Sequence, residues 1–138
     1  MSKTYNIFIS HSWGYSDAYD KLISMLNDRS FFLYKDYSVP WNDPIHNAPT
    51  SSALYEAIKR QITPCHIVII MAGKYATFSK WIEKEIKIAN TEFVYPKPIL
   101  AVTPWGAQQI SSIVSNAATK IVSWNTESIV SGIREISI

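Results

Sequence analysis

The segment Cys65–Met71 is the feature that most limits what this chain can fold into. It is a nearly continuous apolar run of strand length, and such a run is typical of a β-strand that is covered on both faces. A strand of this kind belongs in a parallel sheet between layers of helices, because parallel strands need crossover connections. The rest of the chain must therefore supply further strands and the helices that cover them.

The remaining segments meet this requirement. Strands are predicted at Tyr5–Ser10, Phe31–Tyr34, Ile99–Val102 and Thr119–Val122. Helices are predicted from Ser16 or Asp17, from a cap at Thr50, Ser51 or Ser52 to Pro64, from Ser79 to about Thr91, over Gln108–Val114, and after Asn125. This alternation predicts an α/β fold with a five-stranded parallel sheet and helices on both faces. The length of 138 residues suits a single domain that spans the whole chain.

Composition excludes several kinds of partner. The 13 basic and 11 acidic residues are scattered, and no basic run points to nucleic acid. The longest apolar run, Ile67–Ala72, is too short to span a bilayer, and the first ten residues lack the apolar core of a signal peptide. The single cysteine, Cys65, favours a reducing compartment. We therefore expect a cytoplasmic protein without membrane or nucleic-acid partners.

Ligands in such folds bind beyond the carboxyl ends of the strands. Aromatic side chains are concentrated in the segments that follow the predicted strands. The tryptophans in these segments are Trp13, Trp41, Trp81, Trp105 and Trp124. They predict an aromatic-lined cleft for a planar ligand.

Glu85 lies four residues after Trp81, so the two side chains share one face of the predicted helix. That face borders an apolar stripe, and partial desolvation there would raise the pKa of the carboxyl group. The alternative is an ordinary boundary carboxylate paired with a base such as Lys84 or Lys87. The residues alone favour this alternative, because most helical glutamates do no chemistry.

The histidines and the cysteine carry less information. His11, at the end of the first strand, is equally suited to phosphate binding or acid–base work and to capping a turn. His66 begins a buried strand and is interpreted as structural. Three histidines and one cysteine at these spacings make no metal site, and no glycine-rich phosphate loop or G-x-S-x-G motif is present. We expect no bound metal or cofactor, and no thiol nucleophile at Cys65.

Three segments occur in an order that resembles a known family. They are Tyr5–Trp13, Ser79–Ile86 and Lys97–Leu100. Together they resemble the TIR-like domain family, and specifically its branch in bacterial Thoeris antiphage defence. The second segment contains an S-x-W-x-x-x-E pattern, which places the catalytic glutamate of the family on Glu85. The resemblance implies a flavodoxin-like five-stranded parallel sheet, in agreement with the pattern of strands and helices.

The resemblance also implies an activity, cleavage of the nicotinamide–ribose bond of NAD, with NAD as substrate rather than cofactor. In the defence branch the product is a cyclic ADP-ribose isomer, made on infection, that activates a companion NAD-depleting effector. The implied partners are therefore NAD, that effector, reached through a diffusible nucleotide, and a phage-derived trigger. A homo-oligomer is also open, because TIR enzymes often build active sites across two subunits. The residues expected to contact NAD are Phe8, Ser10, His11, Trp13, Trp41 and Trp81.

A single carboxylate suits this reaction. Ordinary glycoside hydrolysis uses two, because the leaving oxygen must be protonated. Nicotinamide leaves NAD as a neutral molecule, so one carboxylate that stabilises the ribosyl cation is enough.

A non-catalytic interaction module is the competing function, and it predicts that Glu85 is dispensable. A receiver-like regulator is disfavoured, because Ser10–Ser12 and Met71–Gly73 stand where its acidic residues would be.

Overall fold

The computed structural model describes residues 3–10, 18–38, 50–72, 80–103 and 112–138, in which strands and helices alternate along the chain. The strands are β1 (Thr4–Ile9), β2 (Leu33–Asp36), β3 (Ile67–Met71), β4 (Ile99–Val102) and β5 (Lys120–Val122). The helices are α1 (Ala18–Asp28), α2 (Ser51–Ile62), α3 (Lys80–Thr91), α4 (Ser112–Ala117) and α5 (Thr126–Ile136). None of the helices described is long and apolar enough to cross a membrane.

All five strands are parallel and lie in the order β2-β1-β3-β4-β5. The chain moves outward in one direction from β1 and in the other from β3, so the order reverses between these two strands. This is the flavodoxin-like arrangement, and its reversal point is where such folds open a crevice at the carboxyl ends of the strands. The predicted fold class is confirmed.

The sheet separates two apolar cores, because successive side chains of a strand point to opposite faces. One core packs the odd-numbered residues of β1 and β3, such as Ile7 and Ile69, against α1 and α5. The other packs the even-numbered residues, such as Phe8 and Val68, against α2, α3 and α4. Residues 67–70 are 0% exposed, which confirms that this apolar run is a strand covered on both faces.

The second strand was predicted at Phe31–Tyr34, which is wrong by two residues, since β2 runs from Leu33 to Asp36. Phe31 has a φ of 61°, in the left-handed region that does not continue a strand, and its side chain is 89% exposed. It belongs to the turn after α1, where Arg134 Nη2 donates a hydrogen bond of 3.0 Å to its carbonyl oxygen. The aromatic residue in this turn therefore led to a predicted strand start two residues too early.

Other boundaries shift by smaller amounts. The strand predicted at Tyr5–Ser10 runs over Thr4–Ile9, and β3 starts at Ile67 rather than Cys65. The helix predicted over Gln108–Val114 is seen at Ser112–Ala117, and residues 104–111 lie outside the described part of the chain. The caps predicted at Ser16 or Asp17 and at Ser79 also fall outside it.

Two helix caps can be checked directly. Thr50 Oγ1 accepts a hydrogen bond from the amide of Ala53 at 3.0 Å, at the start of α2. Asn125 Oδ1 accepts one from the amide of Ser128 at 2.8 Å, at the start of α5. Both predicted caps are confirmed, because a cap depends on residues only three apart in sequence.

Candidate active site

The carboxyl ends of β1 and β3 lie side by side at the reversal point of the sheet. The amide of Ser10, directly after β1, donates a hydrogen bond of 2.9 Å to the carbonyl oxygen of Ile69 in β3. The amide of Ala72, directly after β3, donates one of 2.9 Å to the carbonyl oxygen of Val102 in β4. Sheet hydrogen bonding therefore holds the backbone at this edge in place.

Ser10 and Glu85 meet at this edge. The hydroxyl of Ser10 donates a hydrogen bond of 2.5 Å to Oε2 of Glu85, across 75 residues of sequence. Ser10 is 2% exposed and Glu85 is 0% exposed. The contact joins the end of β1 to α3, the helix that follows β3, and it lies at the position where ligands bind in folds of this topology.

The alternation of the strand and the period of the helix explain this meeting. Ser10 extends the face of β1 that also carries Phe8, and that face is covered by α2, α3 and α4. In α3, Ile82 and Ala89 are buried against the same core, and Glu85 lies between them on the inner side of the helix. Each local pattern points its polar residue inward, toward the other.

The burial of Glu85 bears on its position in the helix. A boundary carboxylate keeps part of its surface in water, whereas this side chain keeps none. Burying a carboxyl group costs free energy that hydrogen bonds only partly return, so a fold gains little stability by placing one here. Buried acids in a ligand-binding crevice are typical of functional sites. Glu85 is therefore not at the boundary of the buried face but inside the protein, and its catalytic role stays a prediction.

The two lysines that would flank a boundary glutamate lie on another side of the helix. Lys84 and Lys87 line a groove of about 550 Å³ between α2 and α3. Lys87 Nζ lies 5.8 Å from the centre of the Tyr55 ring in that groove. Glu83 is exposed beside them, on the outer face of α3.

The other predicted site residues have different outcomes. Phe8 is 1% exposed and packs in the core beneath Ser10, so its observed role is packing and its contact with NAD stays a prediction. Trp81 lies in the first turn of α3, but its side chain is outside what the structure describes. His11, Trp13 and Trp41 also lie outside the described residues. Their roles stay predictions.

The sequence pattern did not predict the polar cluster at the end of β2. The hydroxyl of Tyr19 donates a hydrogen bond to Asp36 Oδ2, and the amide of Ser38 donates one of 2.8 Å to Asp36 Oδ1. Burial, together with the bond to Asp36, raises the pKa of Tyr19 to about 12. The displaced boundary of β2 hid this cluster, because it left Asp36 in a loop instead of at a strand end.

His66 and Cys65 lie at the opposite, amino-terminal end of β3. His66 Nδ1 accepts a hydrogen bond of 2.9 Å from the amide of Asn6, which confirms its structural role. Burial, with Lys3 and Lys97 nearby, lowers the pKa of His66. Burial raises the pKa of the Cys65 thiol to about 12, which keeps it protonated and unsuited to act as a nucleophile.

In the five described segments, no three histidine, cysteine, aspartate or glutamate side chains lie close enough together to hold a metal ion. Among the described residues, the polar side chains that meet at the crevice are the carboxyl group of Glu85 and the hydroxyl of Ser10. A carboxylate in water-excluded surroundings interacts strongly with a positive charge. The arrangement suits a reaction in which positive charge develops on the substrate.

Comparison with known proteins shows the family of this chain. A comparison with curated protein sequences gave no match. The family described as Thoeris protein ThsB, TIR-like domain, matches residues 8–109, which is more than half of the chain and includes both Ser10 and Glu85. The match agrees with the flavodoxin-like strand order. The chain belongs to the TIR-like domain family of the Thoeris antiphage-defence protein ThsB.

Proposed function

We propose that this protein is a signalling enzyme of antiphage defence that cleaves NAD, with Glu85 as its catalytic carboxylate. The product is a cyclic ADP-ribose isomer that activates a companion NAD-depleting effector, and a phage-derived trigger starts its synthesis. The observation that carries the proposal is the buried Ser10–Glu85 pair at the reversal point of the sheet. Membership of the ThsB family supports it.

The reaction breaks the bond between C1′ of the ribose and the ring nitrogen of nicotinamide. The electron pair of that bond goes to the ring nitrogen, so nicotinamide leaves neutral and a positive charge remains on the ribose. The ionised carboxylate of Glu85 stabilises this charge. A lone pair on a nucleophilic atom of the same molecule then forms a bond to C1′ and closes the ring, and a hydrogen carried by that atom leaves as a proton to solvent. Excluding water favours this closure over hydrolysis.

The burial of Glu85 sets a condition on the mechanism. A side chain with 0% exposure cannot touch a dissolved substrate until its neighbours move aside. NAD must therefore enter a crevice that opens, and the same cover can exclude water once the substrate is bound.

Replacing Glu85 with glutamine tests the proposal. Glu85→Gln keeps the size of the side chain and an acceptor for Ser10, but it removes the charge. Signal production should fall by about 100- to 1,000-fold, the usual cost of losing one group that stabilises a charged transition state. Mass spectrometry of small molecules from infected cells measures the product, and activation of the companion effector by the lysate measures the signal.

The matched control is Glu83→Gln, the same chemical change at an exposed position of the same helix. It should leave signal production unchanged. If infected cells that carry Glu85→Gln still make the product at the level of the intact protein, Glu85 is not catalytic. That result would favour the competing function, a non-catalytic interaction module.

A further inference from the structure

Ser10 connects the sheet to the helix that carries Glu85. We propose that Ser10 is a positioning residue, which holds the carboxylate of Glu85 at the crevice between β1 and β3, and not a residue that binds NAD. This inference rests on the proposed function, since it assigns a task within that reaction. It changes the role expected of Ser10 from the sequence.

The side chain of Ser10 has little hydrogen-bonding capacity to spare. A hydroxyl group has one hydrogen to donate, and Ser10 donates it to Oε2 of Glu85 at 2.5 Å. The side chain is also 2% exposed, so the protein covers it from solvent. A hydroxyl whose one hydrogen is committed to Glu85 has none left to donate to the phosphate oxygens of a nucleotide.

The backbone that carries Ser10 is held by the sheet. The amide of Ser10 is bonded to Ile69 in the central strand β3, at 2.9 Å. Phe8, two residues earlier on the same face, is 1% exposed in the core. The hydroxyl therefore projects from a backbone that the sheet holds on one side and the core supports beneath.

The carboxylate of Glu85 lies at the end of a side chain with three rotatable bonds, so its position depends on the contacts that hold it. The hydrogen bond from Ser10 is one such contact, and it acts directly on Oε2. Holding the charged group in one place before the substrate arrives lowers the barrier, because the group then needs no reorganisation in the transition state.

Steady-state kinetics of NAD cleavage separate positioning from binding. For Ser10→Ala we expect kcat to fall by about 10- to 100-fold, the effect of losing one hydrogen bond to a charged group. The KM for NAD should change by less than about twofold, because a positioning residue does not contribute uniform binding. Ser10→Thr, which keeps the hydroxyl, should recover most of the lost kcat.

The pH dependence of the activity distinguishes a positioning role from a general loss of structure. A hydrogen bond donated to a carboxylate favours its ionised form. In Ser10→Ala the acid limb of the activity profile should therefore move to higher pH. Ser137→Ala is the matched control, because Ser137 Oγ also donates a hydrogen bond of 2.5 Å, to the carbonyl oxygen of Ile133, near the end of the chain. It should leave both kcat and the profile unchanged.

A spectroscopic titration makes the failure of this inference distinct from the failure of the proposed function. In protein labelled with ¹³C-glutamate, the Glu85 carboxyl signal is the one that Glu85→Gln lacks. Its titration midpoint should move to higher pH in Ser10→Ala, whether or not NAD is turned over. An unchanged midpoint overturns the positioning role. So does an unchanged or increased kcat in Ser10→Ala, or a raised KM alone. Absence of any Glu85-dependent product instead overturns the proposed function.

Discussion

Ser10→Ala, Glu85→Met and the double variant together measure the energy of the hydrogen bond between these two side chains. Methionine is unbranched and close to glutamate in length, so it fills the same space without a charge or a strong acceptor. Each single variant also changes other contacts of its residue. The double-mutant cycle removes those changes by subtraction and leaves the pairwise term.

The burial and charge of the pair indicate the size of its coupling energy. Hydrogen bonds to charged groups contribute about 1.5–3 kcal/mol to the free energy of unfolding, and both partners here are essentially buried. At about 2.1 cal/mol/K per residue, a domain of 138 residues has an unfolding entropy near 0.3 kcal/mol/K. The coupling energy therefore corresponds to roughly 5–10 °C in Tm.

Urea unfolding followed by circular dichroism gives the four free energies, provided the m-values agree. The matched cycle uses Tyr34→Phe and Asn27→Ala, because Tyr34 donates a hydrogen bond of 2.6 Å to Asn27 Oδ1 at an exposed position. That neutral pair should couple by about 0.5 kcal/mol. A Ser10–Glu85 coupling no larger than this reference would refute the reasoning that burial and charge strengthen the bond.

Three further predictions concern packing, reactivity and pH. Gly132→Ala should lower the free energy of unfolding, measured in urea, by about 1 kcal/mol. The new Cβ would lie 2.8 Å from Leu100 Cδ1 in the core, and this overpacking outweighs the gain in helix propensity. Ser131→Ala, at the exposed position beside it, should leave the free energy of unfolding unchanged. Cys65 should resist a thiol reagent at about pH 8 until denaturant is added, since its pKa is raised to about 12 by burial, and rapid native labelling would contradict this. The lowered pKa of His66 means that the folded state binds a proton less readily than the unfolded state, so stability should fall as the pH drops below about 6.5. His66→Asn should weaken that dependence in urea titrations between about pH 7 and pH 5, and an identical slope would exclude His66 as its source.

Several elements follow from residues that are close together in sequence. The run at Ile67–Met71 is apolar on both faces, so it forms a central strand wherever the sheet places it. Thr50 and Asn125 cap their helices through bonds to residues three positions later. The spacing within α3 also turns Glu85 to the inner side of the helix. These features depend on local geometry, which the sequence carries directly.

Other features depend on contacts that local pattern does not report. The start of β2 was misplaced because Phe31 adopts a left-handed backbone conformation while its neighbour Phe32 supplies the buried ring. That error also concealed the bond between Tyr19 and Asp36, whose residues are 17 positions apart. Aromatic residues favour strands on average, but the backbone angle of a turn overrides that preference.

The sequence by itself determined that this chain alternates strands with helices, and its resemblance to a known family placed the candidate catalytic glutamate at Glu85. Only the tertiary structure decided that Ser10 donates a hydrogen bond to that acid and that both are buried. The physical reason is the range of the forces involved. Periodicity orients a side chain within its own element, whereas the pairing of β1 with β3 and the packing of α3 bring together residues 75 positions apart. That pairing comes from burying apolar surface across the whole sheet, which no single segment specifies.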